Sequence, residues 1–163
     1  MQLEQIFNTT VECPACGVKA LNVSVYIYET PLIGKILLEV WKCSNCGYRR
    51  SDVGTAESRD AVNIVFRVES LNDLKALVVK SSSAYIEIPE LGIEISPGPA
   101  SQGYITTVEG VLERVLDNTP SECFNENSQC SEFIKKVTRA MNGEIPFTLI
   151  LSDPAGKSEV KRV

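Results

Sequence analysis

Six cysteines are the residues best suited to chemistry in this 163-residue chain, and four of them fall into two matched pairs. Cys13-Pro14-Ala15-Cys16-Gly17 and Cys43-Ser44-Asn45-Cys46-Gly47 are C-x-x-C-G knuckles with 26 residues between them. Two residues between cysteines let both thiolates reach one ion, and a glycine after the second permits the positive φ of a tight turn. Four thiolates fill a tetrahedral Zn2+ shell and leave no open position for water. Cys13, Cys16, Cys43 and Cys46 are therefore expected to hold one structural zinc ion. The alternatives are iron on the same ligands, which sequence rarely separates from zinc, and disulfides or ordinary buried cysteines.

Cys123 and Cys130 have six residues between them, which is not a knuckle. Cys130 falls on the apolar stripe of an expected helix. The plainer reading is a buried thiol, and a local disulfide is the other.

The chain contains no histidine. That excludes a Ser-His-Asp triad, a Cys-His pair, a histidine-ligated catalytic zinc and the commonest general acid-base group. Glu87, Glu90 and Glu94 are spaced as outward strand and turn residues rather than as a catalytic pair. No G-x-x-x-x-G-K-[ST] loop is present, so ATP-driven action is not expected. The chain is read as a non-enzyme.

The net charge is −5. Residues 1–55 carry five basic and five acidic side chains, and the remainder carries eleven basic and sixteen acidic ones. This balance argues against a general nucleic-acid binder and suits a protein partner with a basic face. Arg49 and Arg50, with Lys42 nearby, form a small basic patch beside the second knuckle. Tyr48 and Trp41 could offer stacking there, although a small ribbon also needs aromatics for its core. No apolar run approaches the roughly 20 residues needed to span a bilayer, and no signal peptide is recognised at the start, so a cytoplasmic location is expected.

Residues 1–12 read as a polar lead. Leu21, Val23, Val25 and Ile27 alternate with polar or aromatic residues at strand period, residues 30–34 read as a turn, and Ile36 to Trp41 is β-prone. The two runs make hairpin strands between the knuckles, a zinc ribbon over 1–55. The small polar segment Gly54 to Asp60 marks the boundary to a second module, 56–163. That module opens with a strand carrying Val62, Ile64, Phe66 and Val68 on one face. Short β segments follow near 77–79, 85–88 and 92–95. Thr106 with Glu109 fits a capping box. Val108, Val111, Leu112, Val115 and Leu116 then form an apolar helical stripe. Ser128 is a candidate N-cap for a second helix carrying Cys130, Phe133, Ile134, Val137 and Met141, and Asn142-Gly143 stops it. Phe147, Leu149 and Leu151 return to β, and 158–163 reads as a final strand. The fold expected is mainly β, a barrel or sandwich carrying a helical hairpin at about 105–143.

The ordered set Cys43-x-x-Cys46-Gly47-Tyr48-Arg49 with Asp52-Val53, Val79-Lys80-Ser81, Ile88 to Ile95, Thr106 to Gly110 and Asp153-Pro154-Ala155-Gly156-Lys157-Ser158 resembles the ZPR zinc-finger family over nearly the whole chain. The resemblance implies a zinc ribbon followed by a double-stranded β-helix, jelly-roll-like domain with a helical-hairpin insertion. Eukaryotic members carry this unit twice, and a single copy is similar to the archaeal form. The resemblance also implies binding, and assisted folding, of translation elongation factor one-alpha. The alternative is a nucleic-acid or ribosome-associated zinc ribbon.

Overall fold

The structure, a computed structural model, describes residues 3–57 and 60–163. Four antiparallel strands come first: β1 (Leu3–Val11), β2 (Leu21–Thr30), β3 (Gly34–Cys43) and β4 (Arg49–Thr55), in the order β1-β2-β3-β4. The expected polar lead is thus a nine-residue edge strand. It carries no clean alternation because a register shift between Gln5 and Phe7 breaks the period of two. β4 runs through Gly54 and Thr55, the first two residues of the expected boundary segment. Ser58 and Arg59 of that segment lie outside the described residues.

Seven further strands and two helices follow: β5 (Val62–Val68), β6 (Leu77–Lys80), β7 (Tyr85–Ile88), β8 (Ile93–Ile95), β9 (Tyr104–Thr107), α1 (Val108–Asp117), α2 (Ser131–Met141), β10 (Phe147–Asp153) and β11 (Glu159–Lys161). One sheet has the order β5-β10-β7-β8 and the other β11-β6-β9. Both turn inward on one core. Phe147, Leu149, Leu151, Ile86 and Ile88 come from the first sheet, Val78 from the second, and Val108, Val111, Leu112, Val137 and Ala140 from the helices. This is the expected jelly-roll arrangement with a helical hairpin lying against it. Among the described residues no helix is long and apolar enough to cross a membrane.

The helix N-caps differ from expectation by one residue and by two. Thr107, not Thr106, caps α1, its hydroxyl accepting the Gly110 N–H at 3.0 Å. Thr106 stays in β9, paired with Val78. Cys130, not Ser128, occupies the N-cap position of α2, and the Ser128 hydroxyl instead donates to the Cys123 carbonyl. Cys123 and Cys130 form a disulfide, which corrects the buried-thiol reading. It ties a short 3-10 turn at Ser121–Phe124 to the start of α2.

The β4 edge seats the four-stranded sheet on the jelly roll. Ile36 and Val53 pack on Val79. The Thr55 N–H donates to the Lys157 carbonyl at 2.7 Å, and Lys157 Nζ reaches Glu39 at 3.3 Å. Asp52 accepts from the Ser82 N–H at 2.8 Å and its hydroxyl at 2.7 Å. A Cβ on Gly54 would lie 2.5 Å from Lys157 Cβ, and one on Gly103 would overlap Asp52 and the Val53 backbone, so the approach requires residues without side chains there.

Beneath this seam Asp153 is 1% exposed. Its carboxylate accepts from the hydroxyls of Ser81, Ser83 and Ser158 at 2.8, 2.7 and 2.7 Å, and from the N–H groups of Ala155 and Lys157. Burial pushes its pKa up, but the serine and backbone donors outweigh burial and hold the carboxyl below its ordinary value. A depressed carboxyl adds stability above its unfolded pKa and loses that stability as pH falls through the folded one. Asp153→Asn should therefore unfold in less urea at pH 7, by about 2–4 kcal/mol. The difference from the parent chain should shrink as pH falls below about 4. A gap that stays constant from pH 7 to pH 3 would contradict this account.

Candidate metal centre

Each knuckle is a closed turn of the same design. The Cys13 N–H donates to the Val18 carbonyl at 2.9 Å and the Gly17 N–H to the Cys13 carbonyl at 2.8 Å. In the second, the Cys43 N–H donates to the Tyr48 carbonyl at 2.9 Å and the Gly47 N–H to the Cys43 carbonyl at 3.1 Å. Gly17 and Gly47 have φ of 71° and 77°, the left-handed geometry expected from their position. The β2–β3 hairpin carries the knuckles to one place, because Leu21 pairs with Cys43 across the two strands.

The four sulfurs lie within 4.8 Å of one another. Cys13 and Cys46 Sγ are 3.7 Å apart, and Cys16 and Cys43 Sγ are 3.8 Å apart. A tetrahedron of thiolates about 2.3 Å from zinc has edges of about 3.8 Å, so the donor set fits one Zn2+. Asn45 Nδ2 reaches across to Cys16 Sγ at 3.5 Å.

The electrostatics also call for a cation. The Val18 N–H, and then Asn45, pull the Cys16 thiol down to about 6. The Cys46 backbone N–H lowers Cys43 as well. At Cys46 the Tyr48 N–H favours the thiolate, but burial and the three neighbouring sulfurs outweigh it and push the thiol to about 12. The cluster stabilises some thiolates and resists the last, and a bound divalent ion removes that repulsion.

Trp41 and Tyr48 pack against the cysteine cluster, which accounts for them as ribbon core. Arg50 lies 5.5 Å over the Trp41 ring, while Lys42 and Arg49 are exposed and directly opposite each other on β3 and β4. Of the three glutamates, Glu87 and Glu94 are an exposed cross-strand pair. Glu90 is a clamp. It accepts from Arg67 Nη1 at 2.8 Å and from the Thr148 N–H and hydroxyl at 3.0 and 2.9 Å. Gly156-Lys157-Ser158 lies after β10, with Lys157 on Glu39 and Ser158 on Asp153, so these side chains serve the module seam. Asp153, Lys80 and Asp52 escaped sequence reasoning as a unit. The signal available was a lysine and two aspartates at the ends of β-prone runs, beside serines.

Chelating the metal, or substituting Cys43→Ser, should reduce zinc from one ion per chain to none and shift the emission of Trp41, the single tryptophan. The far-ultraviolet signal of the jelly roll should largely persist. A Cys43→Ser chain that retains stoichiometric zinc would remove the four-thiolate assignment.

Residues 72–163 match the ZPR1 jelly-roll domain. The chain is 39% identical to a ZPR1-like protein of Methanocaldococcus jannaschii, over 92% of this chain and 79% of that one. It is 36% identical to a ZPR1-like protein of Pyrococcus horikoshii, over 90% of this chain and 70% of that one. It is 30% identical to the zinc finger chaperone zpr1 of Schizosaccharomyces pombe, over 98% of this chain but 35% of that protein. With a four-thiolate centre on a hairpin beside a jelly roll, and these relatives matching from ribbon to barrel, the chain belongs to the ZPR1 family.

Proposed function

We propose that this chain is a non-enzymatic cytoplasmic zinc protein that binds translation elongation factor one-alpha and assists its folding. In this reading residues 1–55 are a ribbon whose single structural Zn2+ is held by Cys13, Cys16, Cys43 and Cys46, and residues 56–163 are the jelly roll that supports it. The observation that carries the proposal is the 30% identity to a zinc finger chaperone over 98% of this chain. Two structural features support it. The knuckles are set on a β-hairpin whose far end is anchored to the barrel, and α1 and α2 carry exposed charged residues on the barrel. Any nucleotide dependence would come from the partner, since the Gly156-Lys157-Ser158 side chains are committed to structural contacts.

The zinc-loaded chain should capture the elongation factor of its own source at one-to-one stoichiometry, with a difference between GDP and a GTP analogue. Cys43→Ser should abolish capture. Failure of the folded, zinc-loaded chain to bind in either nucleotide state would overturn the proposal.

One observation favours a second reading, contact with single-stranded RNA. Lys42 and Arg49 are like charges placed opposite each other, a pairing that costs stability, and among the described residues neither makes an ion pair. Beside them Arg50 stacks on Trp41. If that reading holds, a labelled single-stranded RNA should bind at low salt and be released steeply as salt rises, with a weaker slope for the Lys42→Glu, Arg49→Glu chain. No binding at low salt would eliminate it.

A further inference from the structure

We propose that the groove between the free edge of β8 and helix α1 binds an extended peptide segment carrying a carboxylate, seated by Arg114. The groove is a cavity of about 650 Å³. Ile93, Ile95, Val115 and Phe133 make it apolar, and Tyr104 and Arg114 stand at its polar side.

Three observations define the occupant. First, β8 is the last strand of its sheet. It pairs with β7 on one side and, among the described residues, has no strand on the other, so its outer backbone groups can pair with an added strand. Second, the groove floor is apolar and half-buried. Ile95, Val115 and Phe133 pack only partly on the core, which leaves surface for every other side chain of an added strand. Third, Arg114 is pre-positioned without a counter-charge. Its guanidinium lies 4.2 Å from the centroid of the Tyr104 ring and makes no ion pair among the described residues. A planar guanidinium held on an aromatic face offers its remaining N–H groups to a carboxylate in bidentate geometry.

The groove also holds a residue that disfavours a uniformly acidic ligand. Glu94 lies beside it, opposite Glu87 on β7, and both are exposed. On β8 the isoleucines point toward the core and Glu94 away from it. A carboxylate is therefore accepted at the Arg114 side, while a residue facing Glu94 is selected to be neutral or basic. A small anion would satisfy Arg114 but leave the strand edge and apolar floor unused, which is why a peptide fits better. The inference does not depend on which protein supplies the segment, and it stands apart from the elongation-factor reading.

The test is selection of random hexapeptides with free C-termini on the zinc-loaded full chain and on its Arg114→Gln variant, with Arg114→Lys as a control that keeps the charge. Trp41 emission and the amide spectrum verify that each variant is folded. The parent chain should enrich β-branched or aromatic residues alternating with an Asp, Glu or terminal carboxylate. A synthetic peptide of the enriched sequence should bind about tenfold more weakly to Arg114→Gln, with Arg114→Lys in between. On the parent chain it should shift the amide signals of residues 93–96 and 114–119. No enrichment of carboxylate-bearing peptides, equal binding to Arg114→Gln, or shifts that map elsewhere would each overturn the proposal. So would binding of inorganic phosphate at these residues with no peptide binding.

Discussion

The carboxylate of Asp153 is the constraint on which the assembly rests. A negative charge held at 1% exposure requires donors on every side, and the chain supplies them from two separate places: the β6–β7 turn and the connection between β10 and β11. Satisfying it closes the barrel at the end that meets the ribbon. Lys80 is buried in the same region at 2% exposure and donates to the Ser81 carbonyl at 3.1 Å. Burial lowers its pKa, and the charges of Asp153 and Asp52 oppose that effect. One ammonium thus stands between two carboxylates, one on each module. Removing the Asp153 carboxylate takes from the buried Lys80 one of the two charges that favour its ammonium form.

This polar seam is continuous with the zinc ribbon. Asp52 sits on β4, and β4 is the strand through which the ribbon joins the jelly roll. Lys157, whose N–H binds Asp153, offers its carbonyl to Thr55 and its ammonium to Glu39. The orientation of the knuckles is therefore set by the same residues that close the barrel.

Legibility followed chemistry and period. The knuckles could be read because thiolate spacing is a local property, and the structure brings all four sulfurs together. β2, β5 and β10 could be read because one face of each is apolar and the period of two is unbroken. β1 could not, since its bulge at Ile6 breaks the period and much of its apolar surface is exposed. β4 could not, because Arg49-Arg50-Ser51-Asp52 resembles a loop, and its strand character comes from pairing with β3. The Cys123–Cys130 disulfide depends on how the turn at Ser121–Phe124 folds back on α2, which no helical stripe records. The Asp153 network joins residues 70 and 72 apart in the chain and carries no local pattern.

The ribbon sheet is a single layer, and that explains why it needs both ends held. Among the described residues no helix packs on its faces, and Leu3, Phe7 and Val40 remain 56%, 51% and 42% exposed. A sheet without a second layer buries too little apolar surface to offset the entropy of ordering its strands. The deficit is met at the termini of the strands. At one end the cysteine cluster with Leu21, Trp41 and Tyr48 forms a small core around the metal position. At the other, Ile36 and Val53 bury themselves on Val79 of the barrel. Between these anchors the strands are held chiefly by their hydrogen-bond ladders. Such a sheet leaves much of its faces exposed while small apolar clusters hold its two ends.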